Sequence, residues 1–194
     1  IWLQYRENLE GYDPRGNNII IDREAGAEQV FRWRDNSSVK NKIDIHDYYI
    51  ESRVYSARNR QTKGLWNEIM LQTKFNNKFD FILGVQSGYD NGQIYGENFS
   101  ANALGLKNNL TVYLNKKGRI QTEISFVNVR ALNNDNALPP EALKGFAYGK
   151  SVRTNTRFHY LFNQTLSFNL NFNTINDLRY KNLISLQGEL RAYF

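Results

Sequence analysis

Leu166-Ser167-Phe168-Asn169-Leu170-Asn171-Phe172 sets a large apolar residue at every second position, with Ser or Asn between. A period of two is the signature of a strand with one apolar and one polar face. The same rhythm closes the chain. Ile184, Leu186, Gly188, Leu190, Ala192 and Phe194 share one face, and Ser185, Gln187, Glu189, Arg191 and Tyr193 share the other. Working backwards, Phe79 to Gln86, Leu104 to Leu114, Ile120 to Phe126 and Val152 to Phe162 alternate in the same way. No apolar stripe of helical period competes with it. The strands expected are 42–58, 64–76, 79–89, 98–114, 118–131, 148–162, 166–176 and 182–194, with a weaker one at 26–34 and another at 1–8.

The connectors carry a second pattern. Asn76-Asn77-Lys78, Lys116-Lys117-Gly118 and Asn163-Gln164-Thr165 are short and hold the Asn and Gly that hairpin turns need. The connectors at 59–63, 89–98, 131–148 and 177–181 are longer and polar. Short and long ends that alternate along a chain predict an up-and-down barrel, with short periplasmic turns and longer outer loops. The fold expected is therefore all-β, an antiparallel up-and-down transmembrane barrel with about 8–10 strands in this chain. Residues 1–194 read as a single β-barrel domain. Within it, 1–40 is less regular, either a loop hairpin (Asn18 to Glu24) or strands of a larger barrel. The start at Ile1-Trp2-Leu3, already strand-like, reads as a piece of something longer.

Composition narrows the classes. At 41% hydrophobic residues and a mean hydropathy of -0.62, no stretch approaches the roughly 18 apolar residues of a spanning helix. A membrane barrel escapes that test, because each strand shows only half its residues to lipid. The aromatic share of 14% suits strands and interfacial girdles, and Trp2, Trp33, Trp66, Tyr49 and Tyr89 are read as such. Cysteine is absent, which removes disulfides and thiolate metal sites. The net charge of +6 comes with no basic run or recognition motif, so nucleic acid is not expected as a partner. A lipocalin-like soluble barrel would show the same alternation with the faces reversed, and the pattern does not say which face is wet.

The last strand ends Gly188-Glu189-Leu190-Arg191-Ala192-Tyr193-Phe194, with the terminal aromatic in phase with the apolar face. It resembles the terminal β-signal of bacterial outer-membrane proteins. The matching positions are Leu186, Gly188, Leu190, Ala192 and Phe194, with Gly188 and Ala192 small for the pattern. With the Asn- and Lys-rich composition, about the last 150 residues resemble large Bacteroidetes-type outer-membrane barrels. The resemblance implies insertion by the barrel-assembly machinery, contact with outer-membrane lipids including lipopolysaccharide, and a bacterial outer-membrane location. The ending does not closely match TonB-dependent transporters, and no plug or TonB box is visible.

Chemistry is sparse. His46 lies in Asp44-Ile45-His46-Asp47, so a His–Asp couple is conceivable, yet no third partner follows by motif. A lipid-A deacylase would place a His and a Ser two residues apart, and neither His does so. No catalytic, cofactor or metal residues are assigned, and no cofactor is expected. Lys107, Glu123, Arg153, Arg157, His159, Glu189 and Arg191 fall on polar faces as lumen-lining candidates. The connector 131–148 carries Pro139, Pro140 and two apolar residues read as exposed, Leu143 and Phe146. It is the candidate partner-contacting loop, although a cap packed over its own barrel is the reading preferred. Three functions stay open, in this order: a scaffold or component of an outer-membrane assembly or translocation complex, a channel or transporter, and a small integral enzyme.

Overall fold

A computed structural model describes residues 2–10, 18–52, 59–76, 78–115, 117–133 and 138–192. Among the described residues ten strands succeed one another: β1 (Trp2–Glu10), β2 (Asn18–Arg34), β3 (Ser37–Ser52), β4 (Arg60–Phe75), β5 (Phe79–Ile94), β6 (Glu97–Leu114), β7 (Gly118–Ala131), β8 (Gly149–Leu161), β9 (Leu166–Asn176) and β10 (Leu183–Ala192). They form one antiparallel sheet in which sequence order is spatial order. All-β and up-and-down, as the alternation requires. Among the described residues no helix is long and apolar enough to cross a membrane.

Turn chemistry sets one rim. Asn76 and Asn115 adopt φ of 48° and 47°, the left-handed region that Asn tolerates. Lys78 N–H then closes on Phe75 O at 3.0 Å and Lys117 N–H on Leu114 O at 3.1 Å. At the opposite rim Tyr95 (φ 55°) and Gly96 (φ 80°) form a two-residue connection of the kind that matches strand twist.

That connection corrects the long loop expected at 89–98. β5 runs straight through Asn91 and Gly92, which pair with Ser100 and Phe99 of β6. Gly92 serves close packing: a Cβ there would lie 1.8 Å from Gln61 O. The connector expected at 59–63 also shifts, because β4 starts at Arg60; β3 starts at Ser37 rather than 42, and residues 53–58 of the expected strand lie outside the described residues. Residues 18–24 are not a loop hairpin. They begin β2, which pairs with β3 along its whole length, with one irregularity between Arg32 and Arg34.

The sheet is not closed. Among the described residues β1 pairs only with β2 and β10 only with β9. Alternation decides which face a side chain takes, whereas closure depends on strand tilt and stagger, which no local pattern encodes. One segment bridges strands five steps apart: Lys144 bonds Asp44 of β3, and Gly145 accepts from Arg153 of β8.

The two faces are distributed inside-out. On the inward face, the one covered by the 138–148 segment, Asp44, Thr62, Glu68, Gln86, Asp90, Ser125 and Ser151 are buried. On the outward face Leu104 is 64% exposed, Leu106 56%, Val85 48% and Leu83 45%. The outward apolar residues form a belt beside the short-turn rim, running from Phe79 to Tyr89 on β5 and from Leu104 to Leu114 on β6. Beyond it the outward face turns polar, with Asn91 and Gln93 on β5 and Asn102 and Asn98 on β6.

Candidate functional site

Small residues on the inward face create room. Gly64, Gly88, Ala101, Ala103 and Gly105 line neighbouring strands at the level where the 138–148 segment enters. A Cβ on Gly88 would lie 2.4 Å from Trp66 and 3.1 Å from Leu143, so the space is already taken. Leu143 fills it with no exposed surface, next to Ala103 and Val129. Phe146 stacks on Trp66 with centroids 5.9 Å apart and planes 8° from parallel.

The turn at the tip of the segment is left-handed. Leu143, Lys144 and Gly145 have φ of 49°, 54° and 76°. The two non-glycine residues each cost about 1–2 kcal/mol in that region, and such strain persists only where the surroundings over-determine it. They do so here. Leu143 N–H donates to Asp90 Oδ2 at 2.6 Å. Lys144 Nζ lies 2.8 Å from Asp44 and 3.9 Å from Glu68, and 5.3 Å from the Trp66 ring centre. Arg153 donates to Gly145 O and its guanidinium lies 3.8 Å over Phe146. Arg179 donates to the same carbonyl at 2.5 Å, and Arg60 donates to Glu141 at 2.6 Å. The segment is latched to β3, β4, β5 and β8.

His46 belongs to this latch. Its Nε2 lies 3.1 Å from Asp90 Oδ2. The couple conceived from sequence with Asp44 or Asp47 is therefore replaced by one two strands away. Asp44 bonds Lys42 and Lys144, while Asp47 faces Gln61 and Lys63. Asp90 reaches His46 across Gly64, where a Cβ would lie 1.7 Å from its Oδ1. The second donor to Asp90 is a backbone amide, so the pair clamps a loop. Among the described residues no three His, Asp or Glu side chains converge as a metal site would need.

The candidates from sequence fall as follows. Lys107 and Glu123 face inward and pair at 3.2 Å. Arg153 is part of the latch. His159 shares a hydrogen bond with Asn169 at 2.6 Å, and Arg157 lies beside it, lining a cavity of about 340 Å³. Glu189 and Arg191 pair at 2.8 Å on the edge strand β10. Leu186, Gly188, Leu190 and Ala192 share the outward face of β10, and Phe194 lies outside the described residues. Two readings are corrected. Leu143 and Phe146, read as exposed, are buried together with Pro139, and only Pro140 stays exposed. The segment packs into its own sheet because the inward glycines and alanines leave an apolar pocket there. Trp66, read as a girdle residue, points inward at 1% exposure, with its Nε1 donating to Glu68 at 2.9 Å.

Sequence reasoning missed Glu68, Lys144 and the Arg60–Glu141 pair, and read Asp90 only as a loop or lumen carboxylate. The available signal was the run of small residues on the inward faces of β5 and β6, which leaves a void that something must fill.

The chain matches no protein-family model and no curated protein sequence. Function therefore has to be argued from the geometry above.

Proposed function

We propose that this sheet is the bilayer-spanning wall of a β-barrel in a bacterial outer membrane, acting as a scaffold component of an assembly or translocation complex. The observation that carries the reading is the inside-out distribution of side chains. Large aliphatic residues cover the exposed outward face while carboxylates and amides are buried inward, the reverse of a water-soluble barrel. The belt fits in height: about eleven residues at 3.4 Å each, tilted by about 45°, span roughly 26 Å, close to the apolar band of outer-membrane barrels. Unpaired backbone in hydrocarbon costs several kcal/mol per group, so the reading requires both sheet edges to be paired in the membrane.

The scaffold reading is preferred to an open channel because the latched 138–148 segment occupies the interior at the outer edge of the belt. A solute channel is the second reading, supported by the polar wall beneath that segment, where Glu68, Lys107 and Glu123 line a cavity of about 350 Å³. The test is refolding from urea in the presence of lipid vesicles, followed by flotation and planar-bilayer recording. The scaffold reading expects the chain to float with the vesicles and wild type to be silent, with conductance appearing once 139–147 is replaced by a short Gly-Ser linker. A monomer that stays folded in buffer without detergent or lipid sinks the membrane reading. A steady open conductance of wild type would replace the scaffold by the channel.

A further inference from the structure

We infer that the outward face of β5 to β8 holds a binding site for a phosphate-bearing lipid, with the phosphate on Arg130 and Lys150 and an acyl chain in the groove beside them. The inference rests on the membrane reading of the preceding subsection. The groove, about 520 Å³ in volume, is bounded by Val85, Leu104, Leu106 and Phe126, with Arg130 at its end. All four apolar side chains are more than two-fifths exposed, so nothing among the described residues covers them.

Charge decides the occupant. The outward positions of these four strands, alternating from Phe79 to Gln93, Asn98 to Leu114, Ile120 to Arg130 and Lys150 to Tyr160, contain no Asp or Glu. They contain two cations, diagonal neighbours on β7 and β8 that lie two residues apart in register, close to one level. Arg130 pairs in register with Asn102, and Lys150 with Asn128, which itself lines the groove. That level is the polar edge of the apolar belt, away from the short-turn rim, where the head group of a lipid whose chains lie along Leu104 and Leu106 would sit. The next sector differs: Asp47 and Glu51 on the outward face of β3 accompany Lys63 on β4. A guanidinium and an ammonium beside two amides bind a phosphate by charge-assisted hydrogen bonds. An apolar groove without the cations would accept any chain, and the cations without the groove any anion. Together they select a lipid with an anionic head.

The test is native mass spectrometry of the full chain folded in detergent micelles, titrated with dioleoylphosphatidic acid, with dioleoylglycerol, and with inorganic phosphate. Expected is a retained one-to-one adduct with the phosphatidic acid only. It should weaken by about tenfold or more in Arg130→Ala/Lys150→Ala, as loss of charge-assisted bonds predicts, and be unchanged in Lys78→Ala/Lys117→Ala at the other rim. Equal retention of dioleoylglycerol, equal retention by the Arg130/Lys150 variant, or equally tight binding of inorganic phosphate alone would each overturn the inference. Flotation of the same preparations with vesicles separates the two levels. A chain that floats but shows no preference defeats the lipid site alone, whereas a chain that does not float defeats the membrane reading and the site with it.

Discussion

Leu83→Arg puts the facing of the sheet to a quantitative test. Leu83 lies on β5 near the middle of the Phe79 to Tyr89 belt, in register with Leu71 on one side and Asn108 on the other, and is 45% exposed. If water bathes that face, an exposed Leu→Arg change away from caps and networks stays within about 0.5 kcal/mol. If hydrocarbon bathes it, the guanidinium sits roughly 13 Å from either edge of the belt, and the cost is about 2–4 kcal/mol. That is a loss of roughly 30- to 1000-fold in the folding equilibrium. The assay is a reversible urea titration in lipid vesicles, with Gln93→Arg as the matched control on the same strand and face but beyond the belt. The control should cost about 0–1 kcal/mol, because the penalty falls away towards the interface. Equal costs for the two substitutions would refute the inside-out reading and return the molecule to water.

The latch yields further expectations. Asp90→Asn keeps the shape but removes the charge from the acceptor shared by His46 and the Leu143 amide. It should cost about 1–3 kcal/mol, seen as faster hydrogen exchange at Leu143, and unchanged exchange would show that the bond does not hold the loop. Gly64→Ala places a methyl 1.7 Å from the present Asp90 Oδ1 and must displace that carboxylate. Protease cutting between 138 and 148 should then rise, while the same substitution at Gly96, whose Cβ would meet nothing within 4 Å, leaves cutting unchanged and costs only the about 1–2 kcal/mol of its positive φ. Trp66→Ala removes the ring beneath Phe146 and Lys144 and should destabilise by about 3–5 kcal/mol in urea. A cost under 1 kcal/mol would mean that the stack carries no packing energy.

The strands were legible because their reading needs only local information. The alternation from Leu166 to Phe172 predicts its own two faces, and the turn at Asn76 is placed by a residue that tolerates the left-handed region. Where local signals mislead, a neighbour has overridden them. Asn91-Gly92 has turn chemistry, but the glycine is required by the carbonyl of Gln61 on the next strand. The alternation predicts a strand only from 42 onwards, although β4 pairs with all of Ser37 to Asn41, from Ser37 opposite Thr73 to Asn41 opposite Ile69. The site was less legible still. The sequence sets His46 beside two aspartates, yet its partner is Asp90, 44 residues away.

Sequence alone determined the class of structure: period-two faces, the short turns of one rim, and the absence of any spanning helix. Those follow from each residue's own conformational preference and the pleat of a strand. Tertiary structure alone decided which face is covered and what covers it. The polar face became the interior because small residues on β4, β5 and β6 leave a hollow there, and Leu143, Lys144 and Phe146 fold back into it. That choice is made by side chains meeting across six strands, from Asp44 on β3 to Arg153 on β8. A pattern of alternation is the same whichever side is wet, so the decision could only be made where the strands come together.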